Sequence, residues 1–438
     1  MYRLFIEHII LPIGDFFNKS SYIKQLKYWR IVDRLSVLEL QKLQENNLKK
    51  LLLHTVKNVS KYQDIKLKGD DPYSWLQQFP VLMKEDIRNN SDALISSEEK
   101  KENLITYSSS GSSGVQSTVF MNKQEQSIIR GILTHWWEWS NYQIGKPIVQ
   151  TGMTVERSVI KTLKDFFFRT KYINAFSLSE EQLKSLCNDL NHTKKYHLSG
   201  YASSLNIIAE YVLEKSCNIK LQSVISLGDK LFSYYKKNIE KAFSCSVYDT
   251  YGSNEGLMIA AQKDLDYMYI LSPHVFVEVV DDMNNPVKNG EMGHLLITRL
   301  DGFSMPIIRY KLGDLGILLP KEKYPKNRAF NYPLLQQIVG RETDVIILKD
   351  DKKLTVHSFT GIFEFVSEIK QFKVVQNDRK GIVIEYIKSD GFTIKTLETI
   401  TFELQKHIQD TSFKIDYKEV KNIPPTKSGK PQIVESNL

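Results

Sequence analysis

Cysteine is scarce in this chain: three in 438 residues, Cys187, Cys217 and Cys245, about thirty residues apart. None sits in a C-x-x-C pair and none has metal-ligand spacing, which argues against a disulfide framework and a zinc ribbon. Thiols this sparse suit a reducing compartment, so the expected location is the cytoplasm, with each cysteine a small buried hydrophobe. Long hydrophobic runs are missing too, and no uninterrupted apolar stretch is long enough to span a bilayer. The opening MYRLFIEHIILPIGDFF is apolar but carries Glu7, His8 and Asp15 and has no small-residue cleavage site, so it does not read as a secretory leader. There is no dense basic stripe of the kind nucleic acid requires, and none is expected as a partner.

What is present is an ordinary globular composition, 42% hydrophobic and 25% charged, at a length that suggests two or three domains. The net charge of +8 is uneven. Residues 1–60 hold ten Lys/Arg against five Asp/Glu, whereas residues 341–438 hold sixteen against fifteen. A basic, aromatic-containing N-terminus fits solvated helix faces; it also fits loose association with an anionic membrane or an acidic complex.

Ser36-Val37-Leu38-Glu39 has capping-box spacing, and the helical recurrence from Leu40 to Val59 predicts a helix that ends near Tyr62. Between about 125 and 245, helical patterns such as SLNIIAEYVLEK alternate with short apolar runs such as LQSVISLG, which predicts a layered α/β domain. After 270, HVFVEVVDDMNNPVKNGEMGHLLITRL reads as two strands about a turn, the start of a β-rich lobe over about 270–340. From 341 to 438 strands and helices alternate in a small α+β domain, with Ile394, Leu397, Ile400, Leu404 and Ile408 on one helix face. Residues 1–340 form the expected large domain.

YSSSGSSGVQSTV, from Tyr107 to Val119, is the first candidate site. Gly111 and Gly114 let successive N–H groups point into one concavity, and Ser108, Ser109, Ser110, Ser112 and Ser113 add uncharged donors, a composition suited to phosphate. The same composition also suits a flexible linker, and the Walker spacing with its lysine is absent. Four further segments bear on the choice. YDTYGSNEG sets Glu255 in a Gly-flanked turn where a carboxylate can meet Mg²⁺. IIRYKLGDLG places Asp314 where it can accept from a ribose diol, VGRETDVI offers the Arg341 fork, and PPTKSGKPQ presents Lys430 on a Pro/Gly-shaped loop.

In this order, the segments resemble the core motifs of the adenylate-forming superfamily of acyl-CoA ligases, adenylation domains and luciferases. YHLSGYASSLNIIAEYV, ISLGDKLFSYYKKNIEKAFSCSVYDTYGSNEG and LTVHSFTGIFEFVSEIKQFKVVQ are similar to its phenylacetate–CoA ligase branch, which includes capsular-polysaccharide adenylating proteins. The likeness runs from about residue 30 to the C-terminus.

The resemblance implies an ATP-dependent, AMP-forming ligase that activates a small carboxylic acid and passes it to coenzyme A. In that scheme the Ser108–Gly114 loop holds the β- and γ-phosphates and Glu255 binds Mg²⁺. Gly228, Asp229 and Lys230 line the adenine site with Tyr251, Gly252 and Ser253. Asp314 holds the ribose hydroxyls with Arg341 nearby, and Lys430 bridges the substrate carboxylate and the α-phosphate. The small domain is then mobile about a hinge at Thr343.

The sequence departs from the family pattern at Val115-Gln116, where relatives carry Lys, at KLGD in place of RTGD, and at GD in the adenine segment. Two alternatives stay open: transfer to a nucleotide-sugar amine or a carrier-protein thiol, and a degenerate nucleotide-binding non-enzyme. Trp136 and Trp139 share a helical face and either line an acid pocket or pack the core, and Tyr201 either faces substrate or packs. His135, His197, His274 and His357 make no metal-ligand pattern and read as structural.

Overall fold

Ser36 and Glu39 form the capping box that their spacing predicts. The Ser36 hydroxyl accepts from the Glu39 N–H at 3.3 Å, and the Glu39 carboxylate accepts from the Ser36 N–H at 2.8 Å. The helix Val37–Asn58 follows and buries Leu40, Leu48, Leu51 and Leu52 along one face. It stops at Asn58, and a 3-10 turn, Ser60–Tyr62, carries the chain to the predicted end. The computed structural model describes residues 2–108, 118–152, 159–174, 180–191, 195–341, 345–349, 353–363, 366, 368–424 and 432–438.

A hairpin of β1 (Ile105–Ser108) and β2 (Thr118–Met121) flanks the predicted phosphate loop. Five strands of the large sheet alternate with helices: β3 (Ile148–Gly152), β4 (Thr170–Asn174), β5 (His197–Tyr201), β6 (Ser223–Leu227) and β7 (Val247–Ser253). Their mutual pairings are all parallel. Crossover helices such as Ala202–Glu214 and Ser233–Phe243 supply the cover that a parallel sheet requires. Six more strands continue antiparallel: β8 (Leu257–Ala261), β9 (Met268–Ile270), β10 (Val275–Val280), β11 (Met292–Arg299), β12 (Tyr310–Leu318) and β13 (Leu334–Arg341). The spatial order is β10-β11-β12-β13-β9-β8-β7-β6-β5-β3-β4. The predicted pair of strands after residue 270 is β10 and β11, joined in antiparallel register.

The C-terminal part has its own sheets. β14 (Val345–Ile347) pairs with β15 (Lys353–Thr355), and the helix Val356–Phe363 follows. β16 (Ile369–Asp378), β17 (Gly381–Lys388), β18 (Lys414–Glu419) and β19 (Val434–Ser436) lie in the order β18-β17-β16-β19. Across the sheet, the helix Ile394–Ile408 buries Ile400, Leu404 and Ile408. Ile394, counted in the apolar stripe by its spacing, is 76% exposed at the first turn, where the helix has left the sheet. The chain is thus a large layered α/β unit with a β-rich lobe, followed by a small α+β unit. One buried apolar cluster runs through both, from Leu205, Ile239 and Phe243 to Ile346, Phe359 and Val374. Among the described residues, no helix is long and apolar enough to cross a membrane.

Candidate functional site

β7 pairs parallel with β6 on one side and antiparallel with β8 on the other. Its carboxyl end therefore opens where the two halves of the sheet meet, a place where the edges of strands and turns leave a crevice. Asp249, Tyr251 and Ser253 alternate along one face of β7. Between Tyr251 and Ser253, glycine is obligatory at 252, since a Cβ would lie 2.5 Å from the Leu257 carbonyl oxygen. The Ser253 hydroxyl oxygen is buried and has no partner among the described residues. A buried hydroxyl without a partner is costly, so this atom fits a position that a polar ligand completes.

Glu255 lies in the turn from β7 to β8, and Gly256 shapes that turn with φ +82°. The residue is 5% exposed. The Tyr310 hydroxyl donates to Glu255 Oε1 at 3.2 Å. Burial, then the nearby Glu255 charge, pushes the Tyr310 phenol well above its usual range, so it remains a donor. Beneath the turn, Arg299 pairs with Asp301 at 2.9 Å. His274 accepts the Met258 N–H at Nε2, 3.2 Å, so its Nδ1 carries the proton and donates to Asp301 at 2.6 Å. That histidine holds the start of β8 in place, as its structural reading predicts.

Asp314 comes from the opposite side. Leu296 pairs with Lys311 and His294 with Leu315, so β12 carries extra residues against β11, and Gly313 takes φ +85° within the bulge. A bulge re-aims the side chains beside it. Here Asp314 Oδ2 accepts the Tyr251 hydroxyl at 2.7 Å. In the hydrogen-bonding order β7 and β12 are separated by β8, β9 and β13, which in a flat sheet would place them roughly 19 Å apart. The antiparallel half therefore curls, and the tyrosine bridges the opening. Arg341 sits directly opposite Asp314 in the β12–β13 ladder.

The segment after β6 lies on the parallel side of the same crevice. Gly228 has φ +80°, and a Cβ there would meet the Tyr201 ring at 2.5 Å, so Tyr201 packs on this turn. Asp229 caps the helix Ala202–Glu214: its carboxylate accepts from the Ala202 N–H, the Ser203 N–H at 3.2 Å and the Ser203 hydroxyl at 2.5 Å. Lys230 Nζ donates to the Val339 carbonyl at 2.6 Å, tying this turn to β13.

The structure thus brings Glu255, Tyr251, Gly252, Ser253, Asp314 and the Arg341 backbone together, with Gly228, Asp229 and Lys230 across the crevice. Ser108 ends β1 by its backbone. Ser109, Ser110, Gly111, Ser112, Ser113, Gly114, Thr343 and Lys430 lie outside the described residues. Trp136 and Trp139 are core residues, 2% and 3% exposed, and the Trp139 indole N–H donates to Asp33 at 3.0 Å.

Sequence reasoning missed two residues. Tyr310, which holds Glu255, stands in the quoted IIRYKLGDLG and was overlooked because its partner lies on another strand. Asp249 stands in YDTYGSNEG, in period-2 register with Tyr251. Burial, aided by the charge of Asp229, pushes its carboxyl up to about 7 against the pull of Ser226 and the Thr250 N–H.

Among the described residues, no cluster of three or more His, Cys, Asp or Glu could cage a metal. A single sheltered carboxylate fits Mg²⁺, which keeps most of its waters and takes its remaining ligands from substrate phosphates. Glu255, buried in its turn, has the chemistry such a ligand would need.

Comparison with known proteins bears on this arrangement. Residues 346–437 match the family model described as the CapK C-terminal domain. Over nearly its whole length the chain is 25% identical to Protein CapK of Staphylococcus aureus, covering 97% of this chain and 95% of that one. It is 23% identical to the phenylacetate-coenzyme A ligase of Escherichia coli (strain K12), over 73% of this chain and 75% of the ligase. These likenesses support membership of the adenylate-forming superfamily, on its phenylacetate–CoA ligase-like branch. The fold of an adenylate-forming enzyme extends across both units: a 2-hydroxyisobutyryl-CoA ligase in its postadenylation state superposes with a TM-score of 0.74 at 18% identity, over 92% of this chain and 91% of that one.

Proposed function

We propose that this adenylate-forming protein is an ATP-dependent, AMP-forming ligase that joins a small carboxylic acid to AMP and then passes the acyl group to coenzyme A. The observation that carries the reading is the meeting of Glu255, Tyr251 and Asp314, from strands that are not neighbours, at the junction of the two half-sheets. Kinship with proteins named as phenylacetate–CoA ligases supports the acceptor. Polysaccharide or secondary-metabolite biosynthesis is the setting this branch suggests, and unpaired thiols fit a cytoplasmic enzyme.

Each residue has a role that its chemistry suits. Ser108 to Gly114 cradle the β- and γ-phosphates through backbone N–H groups and hydroxyls. Glu255 holds the Mg²⁺, which supplies charge neutralisation for pyrophosphate departure. Asp314 accepts from the ribose hydroxyls beside Arg341, while Gly228, Asp229, Lys230, Tyr251, Gly252 and Ser253 border the adenine. Lys430 reaches the α-phosphate as negative charge builds during attack, with the C-terminal unit turning about Thr343 between the two half-reactions. The domain boundary at 340/341 follows from these roles.

The test is pyrophosphate exchange into ATP across a panel of aromatic, hydroxy and amino acids, followed by product analysis with free coenzyme A, a carrier-protein thiol and an amino sugar nucleotide. Acid-dependent exchange and a coenzyme A thioester are expected. Turnover with the sugar amine or the carrier alone would move the acceptor to those thiols or amines. No exchange with any acid would leave a nucleotide-binding protein that catalyses nothing.

A further inference from the structure

The N-terminal helix is apolar on two sides: it buries Ile6 and Leu11 against Leu26, Tyr142 and Ile148, and it carries a second apolar face outside. Its α-helical ends, Tyr2–Phe5 and Leu11–Asn18, flank a π-helical turn, Ile6–Ile10. In a soluble protein such a helix hides its apolar stripe and shows its charges. Here Leu4 (57% exposed), Phe5, Ile9, Ile13, Phe16 (80%) and Phe17 (78%) face solvent. Phe5, Ile9, Ile13 and Phe17 recur at a spacing of four, with Leu4 and Phe16 beside the two ends of that row.

The helix's two carboxylates are the groups turned inward. Glu7 is buried against Arg3 at 3.0 Å and Arg30 at 2.7 Å. Asp15 accepts from the Ser20 hydroxyl and from the Tyr22 and Ile23 N–H groups, capping the helix Tyr22–Val32. The helix is thus anchored by Ile6, Leu11 and its two carboxylates, and its remaining large apolar residues are left outside.

The charge around this face is mostly positive, with Asp165 on the neighbouring helix a half-buried exception. Every exposed Asp, Glu, Lys or Arg from residue 2 to residue 31 is a lysine: Lys19, Lys24 and Lys27. Tyr2 and Arg3 also form one wall of a cleft of about 370 Å³ whose other charged lining residues are Lys146, Arg169 and Lys195, with no carboxylate. On the neighbouring helix Val159–Phe168, Leu163 (57% exposed) and Phe166 (75%) are again outward. Tyr2 links the two elements through its hydroxyl, which donates to the Phe167 carbonyl at 2.7 Å.

We propose that this face docks the protein on an anionic lipid surface. The phenylalanines and isoleucines enter the boundary between head groups and acyl chains, and the lysines and the basic cleft meet the phosphates. An apolar stripe framed mainly by cations is what anionic lipid recognises. An aqueous surface explains neither half of the pattern, since exposed apolar patches of this extent mark contact sites. The inference stands independently of the ligase reading.

The test is co-sedimentation of the full-length protein with vesicles of phosphatidylcholine alone and of phosphatidylcholine with 30% phosphatidylglycerol, alongside light scattering of the free protein. Wild type is expected to partition onto the phosphatidylglycerol vesicles and not onto the neutral ones. Phe16→Glu/Phe17→Glu should weaken that binding by about tenfold or more, because two insertion anchors become charged. Both positions point away from the core, so the melting temperature should hold. Lys19→Glu/Lys24→Glu should weaken it too and flatten its salt dependence. Equal binding by wild type and the double phenylalanine variant would overturn the proposal. So would wild type that ignores both vesicles and forms a dimer which that variant splits, because the face would then belong to a second copy.

Discussion

On the parallel side of the crevice, Asp229 gives its carboxylate to the start of a helix, taking the Ala202 N–H, the Ser203 N–H and the Ser203 hydroxyl. On the antiparallel side, Glu255 and Asp314 are each oriented by a tyrosine hydroxyl, Tyr310 for one and Tyr251 for the other. The three residues are the same chemistry in the same cleft, yet they answer to different neighbours. A helix N-terminus presents several N–H groups and absorbs a carboxylate into the fold. A phenol supplies one directional bond, fixing where the carboxylate points while leaving it able to take a ligand. The comparison predicts that substitutions on the first side damage stability and those on the second damage turnover.

Lys430→Ala, near the C-terminus, should give the largest effect and belongs to neither side. Exchange should fall by about 10²–10³-fold, as when a preorganised electrostatic partner is lost, with ATP affinity and melting temperature kept. Exchange at the wild-type rate would remove Lys430 from the chemistry. Glu255→Gln keeps the shape and the Tyr310 bond but removes the charge, and should cost roughly a hundredfold in kcat. A higher Mg²⁺ requirement should accompany the loss; an unchanged Mg²⁺ dependence would show that Glu255 has no metal role.

The sharpest form of the comparison is a matched pair. Asp314→Asn should raise KM for ATP by roughly tenfold, the size expected for a weakened charge-assisted hydrogen bond, while the melting temperature holds. Asp229→Ala should do the reverse. It removes a helix cap worth about 1–2 kcal/mol, and the melting temperature should drop by about 2–8 °C with a smaller change in KM. If both variants lose ATP affinity equally with no thermal shift, the two sides are functionally alike and the contrast fails.

What the chain declares in advance follows the same divide. Features set by local spacing were legible: the Ser36–Glu39 box and the strand pair after 270, but not the short strands Lys353–Thr355 and Val434–Ser436 of the C-terminal unit. The ordered motifs also single out Glu255 and Asp314, which the structure holds on either side of one opening. The links between them were not legible, because Tyr310 and Tyr251 reach across a curled sheet whose curvature depends on the Gly313 bulge and on packing far from either residue. Asp229 shows the converse limit. Its segment was recognised, but the side chain's commitment to the Ala202 helix depends on two strand ends lying side by side. The N-terminal segment reads as basic, apolar and aromatic, and only the structure reveals which of its faces is turned out.

Asp249 tests the crevice from the parallel side by its pH dependence. Its carboxyl is raised from an ordinary 3.8 to about 7, so between those values the folded chain keeps a proton that the unfolded chain has released. Stability from this residue is therefore complete below about pH 4, falls as pH rises towards 7, and is flat above it. Asn is uncharged throughout. The melting-temperature advantage of Asp249→Asn over wild type should widen from pH 5 to pH 7 and then level off, with a limiting slope of at most about 1.4 kcal/mol per pH unit. Every other titrating group cancels in that difference. A constant gap from pH 5 to pH 8 would mean that Asp249 ionises as an ordinary carboxylate, and that the parallel wall of the crevice is wetter than its burial implies.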